Sequence, residues 1–303
     1  MSEKRLLRRI SRQPIKRHFS AVLAALMIAG SGLAVTTTTA YATDGILDTT
    51  FGTGGKVTSS VTGSSVDVGN AMAIASDGSI FVAGSTGTSL DFVIAKYTSS
   101  GQLDTSFGTT GFSVVDIGSA YDSASSITVL PSNSILIGGT TGSGSSENFA
   151  LIKLLSNGTL DTSFGTSGKV TTNFTGNNRD SSQGMAISRN GEIYLSGLVS
   201  TAGAIDFGVA KYTASGALDQ TFSGDGLLTI DVPNSNGVSD TDDAHAIALH
   251  PDGSIILGGY YDGTPVVSTL VKISASGVLD STFDQDGKVS TDFFSGYSEQ
   301  INA

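Results

Sequence analysis

The chain has 303 residues, 39 of them glycine and none cysteine, with 14% charged and 39% hydrophobic residues and a formal net charge of −11. The hydrophobic fraction supports a packed core and excludes a disordered acidic tail. The missing cysteines exclude a disulfide scaffold, a thiolate zinc site and a cysteine nucleophile.

In chain order the first predicted element is a leader. Seven basic side chains between Lys4 and Arg17 stand against the single acid Glu3. An apolar run from Ala21 to Val35 follows, and Ala40-Tyr41-Ala42 closes the segment. A basic head, an apolar middle and an A-x-A exit are the three parts of a secretory signal peptide, here helical over residues 1–42 and cleaved after Ala42. Gly30, Ser31 and Gly32 break the apolar run, which is short of the roughly 20 residues of a membrane span. The expectation is therefore a secreted or cell-surface protein with no transmembrane segment after cleavage. Without the leader, nine basic residues face 26 acidic ones, a net charge of −17. Such a surface repels phosphate backbones, so nucleic acid is not expected as a partner, and cations or basic partners are favoured.

The rest of the chain is a repeat. The pattern G-x-L-D-x-[ST]-F, or its close equivalent, begins at Gly45, Gly101, Gly158, Gly216 and Gly277. Its phenylalanines, Phe51, Phe107, Phe164, Phe222 and Phe283, are spaced by 56, 57, 58 and 61 residues. After each comes a Gly-rich turn and a short β-type run: Lys56-Val57-Thr58, Phe112 to Val115, Lys169-Val170-Thr171, Leu227 to Ile230 and Lys288-Val289-Ser290. A run of small apolar residues follows, as in Ala71 to Ile74 and Ala244 to Ile247. Asp77-Gly78, Ser132-Asn133, Asn190-Gly191 or Asp252-Gly253 then turns the chain into a further β run, with the positive φ that such hairpins need. The last strand of each unit ends on a lysine, Lys96, Lys153, Lys211 or Lys272, five residues before the next motif glycine.

Each unit thus reads as four short strands without a helix. A four-stranded sheet of this size cannot bury both faces alone, and stacking around an axis solves that problem. The prediction is an all-β, propeller-type array, with residues 43–303 as one repeat domain. A β-solenoid needs shorter and more uniform rungs and fits poorly. There are five outer-type strands but only four full sets of the other three, so an extra outer strand is left over. A fifth inner strand would begin at Glu299 to Ala303. The favoured reading is an incomplete propeller, an open arc of four blades whose terminal faces pair or aggregate; a strained four-blade ring is the alternative.

The blocks Leu103-Asp104-Thr105-Ser106-Phe107-Gly108 and Leu160-Asp161-Thr162-Ser163-Phe164-Gly165 resemble the delta-60 repeat family, as do Pro251 to Ile255 and Phe92 to Tyr97. The resemblance runs from Asp44 to about Phe294 and implies exported bacterial β-propeller blades of no agreed activity. The chain departs from the pattern at Ser223 and Asp284, where the glycine after the phenylalanine is lost, and at Ser132-Asn133.

The motif aspartates Asp48, Asp104, Asp161, Asp219 and Asp280 are read as turn-capping carboxylates that hold the neighbouring Leu and Phe in the core. A catalytic carboxylate has no reason to recur five times. The loops before the inner strands are also acidic, with Asp67, Asp122, Asp180 and a cluster of Asp240, Asp242 and Asp243. We take Asp67, Asp122, Asp180 and Asp243 as a candidate weak cation site at one channel mouth, with calcium the candidate ion and no other cofactor expected. Asp284-Gln285-Asp286-Gly287 lacks the later ligands of a calcium loop. Past the leader only His245 and His250 remain, and no G-x-S-x-G supports a hydrolytic triad. The expected role is a non-enzymatic binding or scaffolding module for a protein or polysaccharide ligand at the cell surface. The alternatives are a polysaccharide-active hydrolase or lyase, with Asp240 to His245 and Tyr260-Tyr261 as its candidate region, and a calcium-stabilised adhesin.

Overall fold

The computed structural model describes residues 46–61, 63, 66–118, 121–174, 176, 178–201, 204–232, 241–262 and 266–292. The leader, Asp240 and the expected fifth inner strand at 299–303 lie outside these residues. Each repeat folds into one four-stranded antiparallel sheet in which consecutive strands pair. The first blade is β1 (Asp67–Ile74), β2 (Ile80–Thr86), β3 (Asp91–Tyr97) and β4 (Phe112–Val115). The second is β5 (Asp122–Val129), β6 (Ile135–Thr141), β7 (Asn148–Leu154) and β8 (Lys169–Thr172). The third is β9 (Asp180–Ile187), β10 (Ile193–Ser200), β11 (Ile205–Tyr212) and β12 (Leu227–Ile230). The fourth is β13 (Thr241–Leu249), β14 (Ile255–Asp262), β15 (Val267–Ile273) and β16 (Lys288–Thr291). One parallel bridge, Ile205 to Thr241, links the third and fourth sheets.

The surplus strand is the N-terminal one. β16 pairs with β15 and completes the fourth blade. Lys56-Val57-Thr58, expected as a strand, is not one: Lys56 makes only local bridges to Gly52 and Thr53. The corresponding runs pair with the third strand of their own blade, and among the described residues no blade precedes this one.

The hairpins between first and second strands are wider than a two-residue turn. In the first blade the loop spans residues 75–79, Ala75 and Ser79 close it, and Asp77 Oδ1 accepts the Ser79 N–H at 2.8 Å. Only the glycine has positive φ there, +84° at Gly78; in the second blade Asn133 holds the same position at +61°. Asn tolerates this region better than other side chains, so the departure costs little geometry. Ser223 and Asp284 likewise keep the turn of the glycines they replace, at φ +53° and +48°.

Burial follows one rule. One face of each blade packs on the opposite face of the next. Phe81, Phe92, Ile94 and Phe107 of the first blade meet Ile127, Ile135 and Ile152 of the second. Leu136, Phe149, Leu151 and Phe164 meet Leu195, Ala210 and Tyr212. Tyr194, Phe207, Val209 and Phe222 meet Leu257, Val271 and Ile273. A fourth small cluster, Val93, Ala95 and Phe112, lies on the other face of the first blade. The innermost strands stack in order, β1 on β5, β5 on β9 and β9 on β13; among the described residues β13 makes no comparable contact with β1. The four blades form an open arrangement.

Candidate functional site

The repeat motif builds the joints between blades. Each motif aspartate folds its turn by accepting, at Oδ1, the N–H and hydroxyl of the residue two ahead; for Asp161 these are Ser163 N at 3.2 Å and Ser163 Oγ at 2.6 Å. Asp48, Asp104, Asp219 and Asp280 do the same with Thr50, Ser106, Thr221 and Thr282. In four repeats Oδ2 also meets a lysine eight residues earlier: Lys96–Asp104 at 2.8 Å, Lys153–Asp161 at 3.0 Å, Lys211–Asp219 at 2.8 Å and Lys272–Asp280 at 2.8 Å. Asp48 has Ala40 at that spacing. The lysine holds the carboxyls of Asp104, Asp219 and Asp280 down at about 2, helped by the neighbouring hydroxyl. Burial works against the charge on Lys211, but Asp219 and Glu192 outweigh it, and its pKa lies above the ordinary value.

The motif phenylalanine then crosses to the next blade. Phe107, Phe164 and Phe222 are fully buried, and a Cβ built on Gly158, Gly216 or Gly277 would come within 3.0, 2.8 and 3.1 Å of their rings. The motif glycine is the seat for the ring of the preceding repeat, which is why both recur together. Phe51 sits on Gly101 in the same way, while Phe51 and Phe283 are only partly buried. Beside each ring a main-chain bond joins the blades, such as Gly165 N–H to Ser215 O at 2.8 Å.

The inner-strand aspartates form a second set of latches. Asp67, Asp122 and Asp180 open β1, β5 and β9, and their Oδ2 atoms accept the N–H groups of Val61 (3.2 Å), Ile117 (2.7 Å) and Phe174 (2.8 Å). In the fourth blade that role belongs to Asp242, which accepts Val232 N–H at 2.7 Å. Aligning the blades on their β-bulges shows why: Asp242 opposes Tyr261 as Asp180 opposes Val199, so Asp243 falls one position on. Sequence spacing alone misplaced it, since the bulge position is not visible there. The four aspartates expected as a weak cation site at one channel mouth each lie on the inner strand of a different blade. Two tighter trios form instead among the described residues, Asp91–Asp116–Asp122 and Asp206–Asp231–Asp242, with carboxylate oxygens within 4.8 Å of one another. In the second blade the corresponding residues are Asn148, Asn173 and Asp180. Burial, then Asp116 and Asp122, push the Asp91 carboxyl above its ordinary value. These trios are the residues that could hold a cation; each supplies three carboxylates where calcium takes six to eight oxygens.

The concave site lies where the bulges converge. Each inner strand carries a bulge near its middle, and the bulge residues are Asn70, Ser125, Gln183 and His245. All four line one cavity of about 550 Å³, together with Asp122, Glu147 and Arg179. Bulges re-aim side chains in this manner. Two of the four also tie blades together: Asn70 Nδ2 donates to Ala124 O at 2.9 Å and Ser125 Oγ to Ser182 O at 2.7 Å. Arg179 is paired with Glu147 at 2.8 Å on the rim. His245 Nε2 lies 3.2 Å from the buried Asp243 carboxylate, which raises the imidazole pKa, and its ring packs on Tyr260 with centroids 5.4 Å apart. With its amide, hydroxyl and imidazole groups the arrangement can donate and accept hydrogen bonds.

Comparison with known proteins matches four segments, residues 75–107, 130–164, 189–222 and 250–283, to a family described as a domain of unknown function (DUF5122) beta-propeller. Each segment runs from the first hairpin of a blade to the motif phenylalanine, the stretch that carries the Lys–Asp pair. No curated protein matches the chain. Among solved structures it is similar to a streptogramin B lyase (15% identity, 70% of this chain and 53% of that one, TM-score 0.39). It is also similar to an exo-1,5-alpha-L-arabinanase from a bovine ruminal metagenomic library (12%, 76% and 77%, 0.36). A third is the PQQ-bound aldose sugar dehydrogenase of Streptomyces coelicolor (13%, 71% and 63%, 0.40). The chain spans about half the length of the lyase. Four family matches in step with four four-stranded sheets make the chain a β-propeller repeat protein.

Proposed function

We propose that the protein is an exported, non-enzymatic binding module that takes a hydroxyl-rich polysaccharide ligand in the cavity at the axial cleft. The observation that carries this reading is the convergence of Asn70, Ser125, Gln183 and His245, one from each blade, with Arg179 and Glu147 at the rim. Such a lining offers alternating donors and acceptors for sugar hydroxyls, while the −17 charge beyond the leader disfavours polyanionic ligands. Titration against neutral and basic polysaccharides tests it. Gln183→Ala and Arg179→Ala are each expected to weaken binding about 5- to 10-fold, the scale of one lost hydrogen bond, with unchanged thermal stability. Binding that ignores both substitutions, or steady turnover of the polysaccharide, contradicts the proposal. The surface protein ligand is the other outcome: saturable binding to a protein with no glycan response.

Calcium stabilisation is a second reading, favoured by the two aspartate trios in alternate blades. It predicts a higher unfolding temperature at millimolar calcium that is lost in Asp116→Asn with Asp231→Asn. An identical unfolding curve with and without calcium removes it.

A further inference from the structure

The lip of the axial cavity is built twice from the same backbone, with different side chains. The residue before each latch aspartate is Tyr121 in the second blade and Arg179 in the third, and their carbonyls accept Gly142 N–H and Ser200 N–H, both at 2.8 Å. The latch aspartates in turn donate their own N–H to the residue just before the third strand of the preceding blade: Asp122 to Leu90 O at 2.7 Å, Asp180 to Glu147 O at 2.9 Å. All four of these residues line the cavity. One joint therefore presents the apolar pair Leu90 and Tyr121, and the next presents the ion pair Glu147 and Arg179. Tyr121 is 48% exposed although its backbone is fixed on both sides, since Asp122 is buried and bonded to Ile117 N–H and Thr141 Oγ1. Leu90 holds φ at +56°, a region that a leucine seldom adopts. Strain of this kind collects where a ligand is gripped.

We propose that Tyr121 is the stacking platform of this cavity, with Leu90 beside it, and that the ligand is a neutral pyranose chain. The role rests on the polysaccharide reading of the same cavity. A pyranose chair carries its hydroxyls around the edge and C–H bonds on its faces. An aromatic ring takes a C–H face, because its π cloud is negative and the C–H bonds are weakly positive. The amides and hydroxyls deeper in the cavity take the edge. Charge sets the class of sugar. The Arg179 guanidinium is paired with Glu147 at 2.8 Å, and Asp122 adds a further carboxylate to the lining, so the lip holds no surplus positive charge for a uronate or a sulfate. A cavity of about 550 Å³ lies within the range of small-ligand sites and fits a short stretch of chain.

The test uses the full chain, with soluble hexaoses of glucose, mannose and xylose as probes and a galacturonate hexamer as the acidic control. The chain has no tryptophan, so Tyr121→Trp places a single indole at the lip. Circular dichroism checks that each variant is folded. At least one neutral hexaose is expected to bind, to change the emission of Tyr121→Trp saturably with the midpoint found by calorimetry, and to bind more tightly than the acidic control. Tyr121→Phe should keep the affinity within about twofold, and Tyr121→Ala should lose about 10-fold. Binding weakened by Gln183→Ala but not by Tyr121→Ala would leave the polysaccharide reading standing and overturn the platform. A loss in Tyr121→Phe as large as in Tyr121→Ala would assign the hydroxyl instead of the ring and equally overturn it. Preference for the galacturonate hexamer would overturn the neutral class. No binding of any neutral hexaose would overturn this proposal together with the reading beneath it.

Discussion

At the residue scale the repeat is held by a few charged and conformational choices, and these set how stability responds to pH. Asp104, Asp219 and Asp280 have folded pKa values of about 2. Their contribution is complete above the unfolded value of about 4 and is lost as pH falls toward 2. Asp180 runs the other way. It is buried, and desolvation lifts its carboxyl to about 6. The folded chain then holds this proton more tightly than the unfolded one, so stability falls as pH rises from about 4 through 6. The raised His245 adds stability below its unfolded pKa that is lost as pH rises through the folded one. Thermal unfolding is therefore expected to peak at mildly acidic pH. Asp180→Asn keeps an acceptor for Phe174 N–H, and should flatten the neutral side of the curve while leaving the acid side unchanged. A wild-type profile in that variant would refute the assignment.

The same scale yields a pair of opposite substitutions. Ser223 sits at φ +53° where Gly165 sits at +52°. Left-handed backbone costs a side-chain-bearing residue about 1–2 kcal/mol, partly offset by the flexibility glycine adds to the unfolded chain. Ser223→Gly should thus stabilise by roughly 0.5–1 kcal/mol. Gly165→Ala should destabilise by about 2 kcal/mol through strain, since its Cβ would lie 2.4 Å from Lys169 O. Denaturant midpoints that move in the same direction for both would show that the turn is not under this constraint.

At the element scale the blade is a sheet plus a crossing ring. Phe164 is 1% exposed and seated on Gly216 of the following repeat, so Phe164→Ala should cost about 3–5 kcal/mol. Asp161→Ala should cost roughly 1–2 kcal/mol, the scale of a lost cap. Urea unfolding ranks the two, and an aspartate variant worse than the phenylalanine variant would reverse this account of the motif. The strands were legible from sequence because turn residues bound them: the expected outer runs at Phe112 and Leu227 coincide with β4 and β12. The constant eight-residue step from Lys96 to Asp104, repeated four times, was also open to reading, and it marks an ion pair. The bulges were not legible. Nothing local distinguishes Gln183 or Ser125 from neighbouring polar residues until strand register shows that they re-aim into one cavity. The misplacement of Asp243 for Asp242 has the same origin.

At the scale of the whole molecule, counting strands against repeats anticipated an unequal pair of ends, because an outer strand without its blade must be left over somewhere. Only pairing decided which end, since Lys56 and Lys288 begin equally good β runs. Which cavity would matter was not legible, because it takes one residue from each of four blades. The central claim is that these blades stand in an open arc around that cavity. The cysteine-free chain gives a direct measurement. With Met72→Cys and Leu270→Cys combined, mild oxidation at high dilution should yield no crosslink within a single chain on a non-reducing gel. A crosslinked monomer, formed at high dilution and reversed by reductant, would place the first and fourth blades in contact and contradict the open arc.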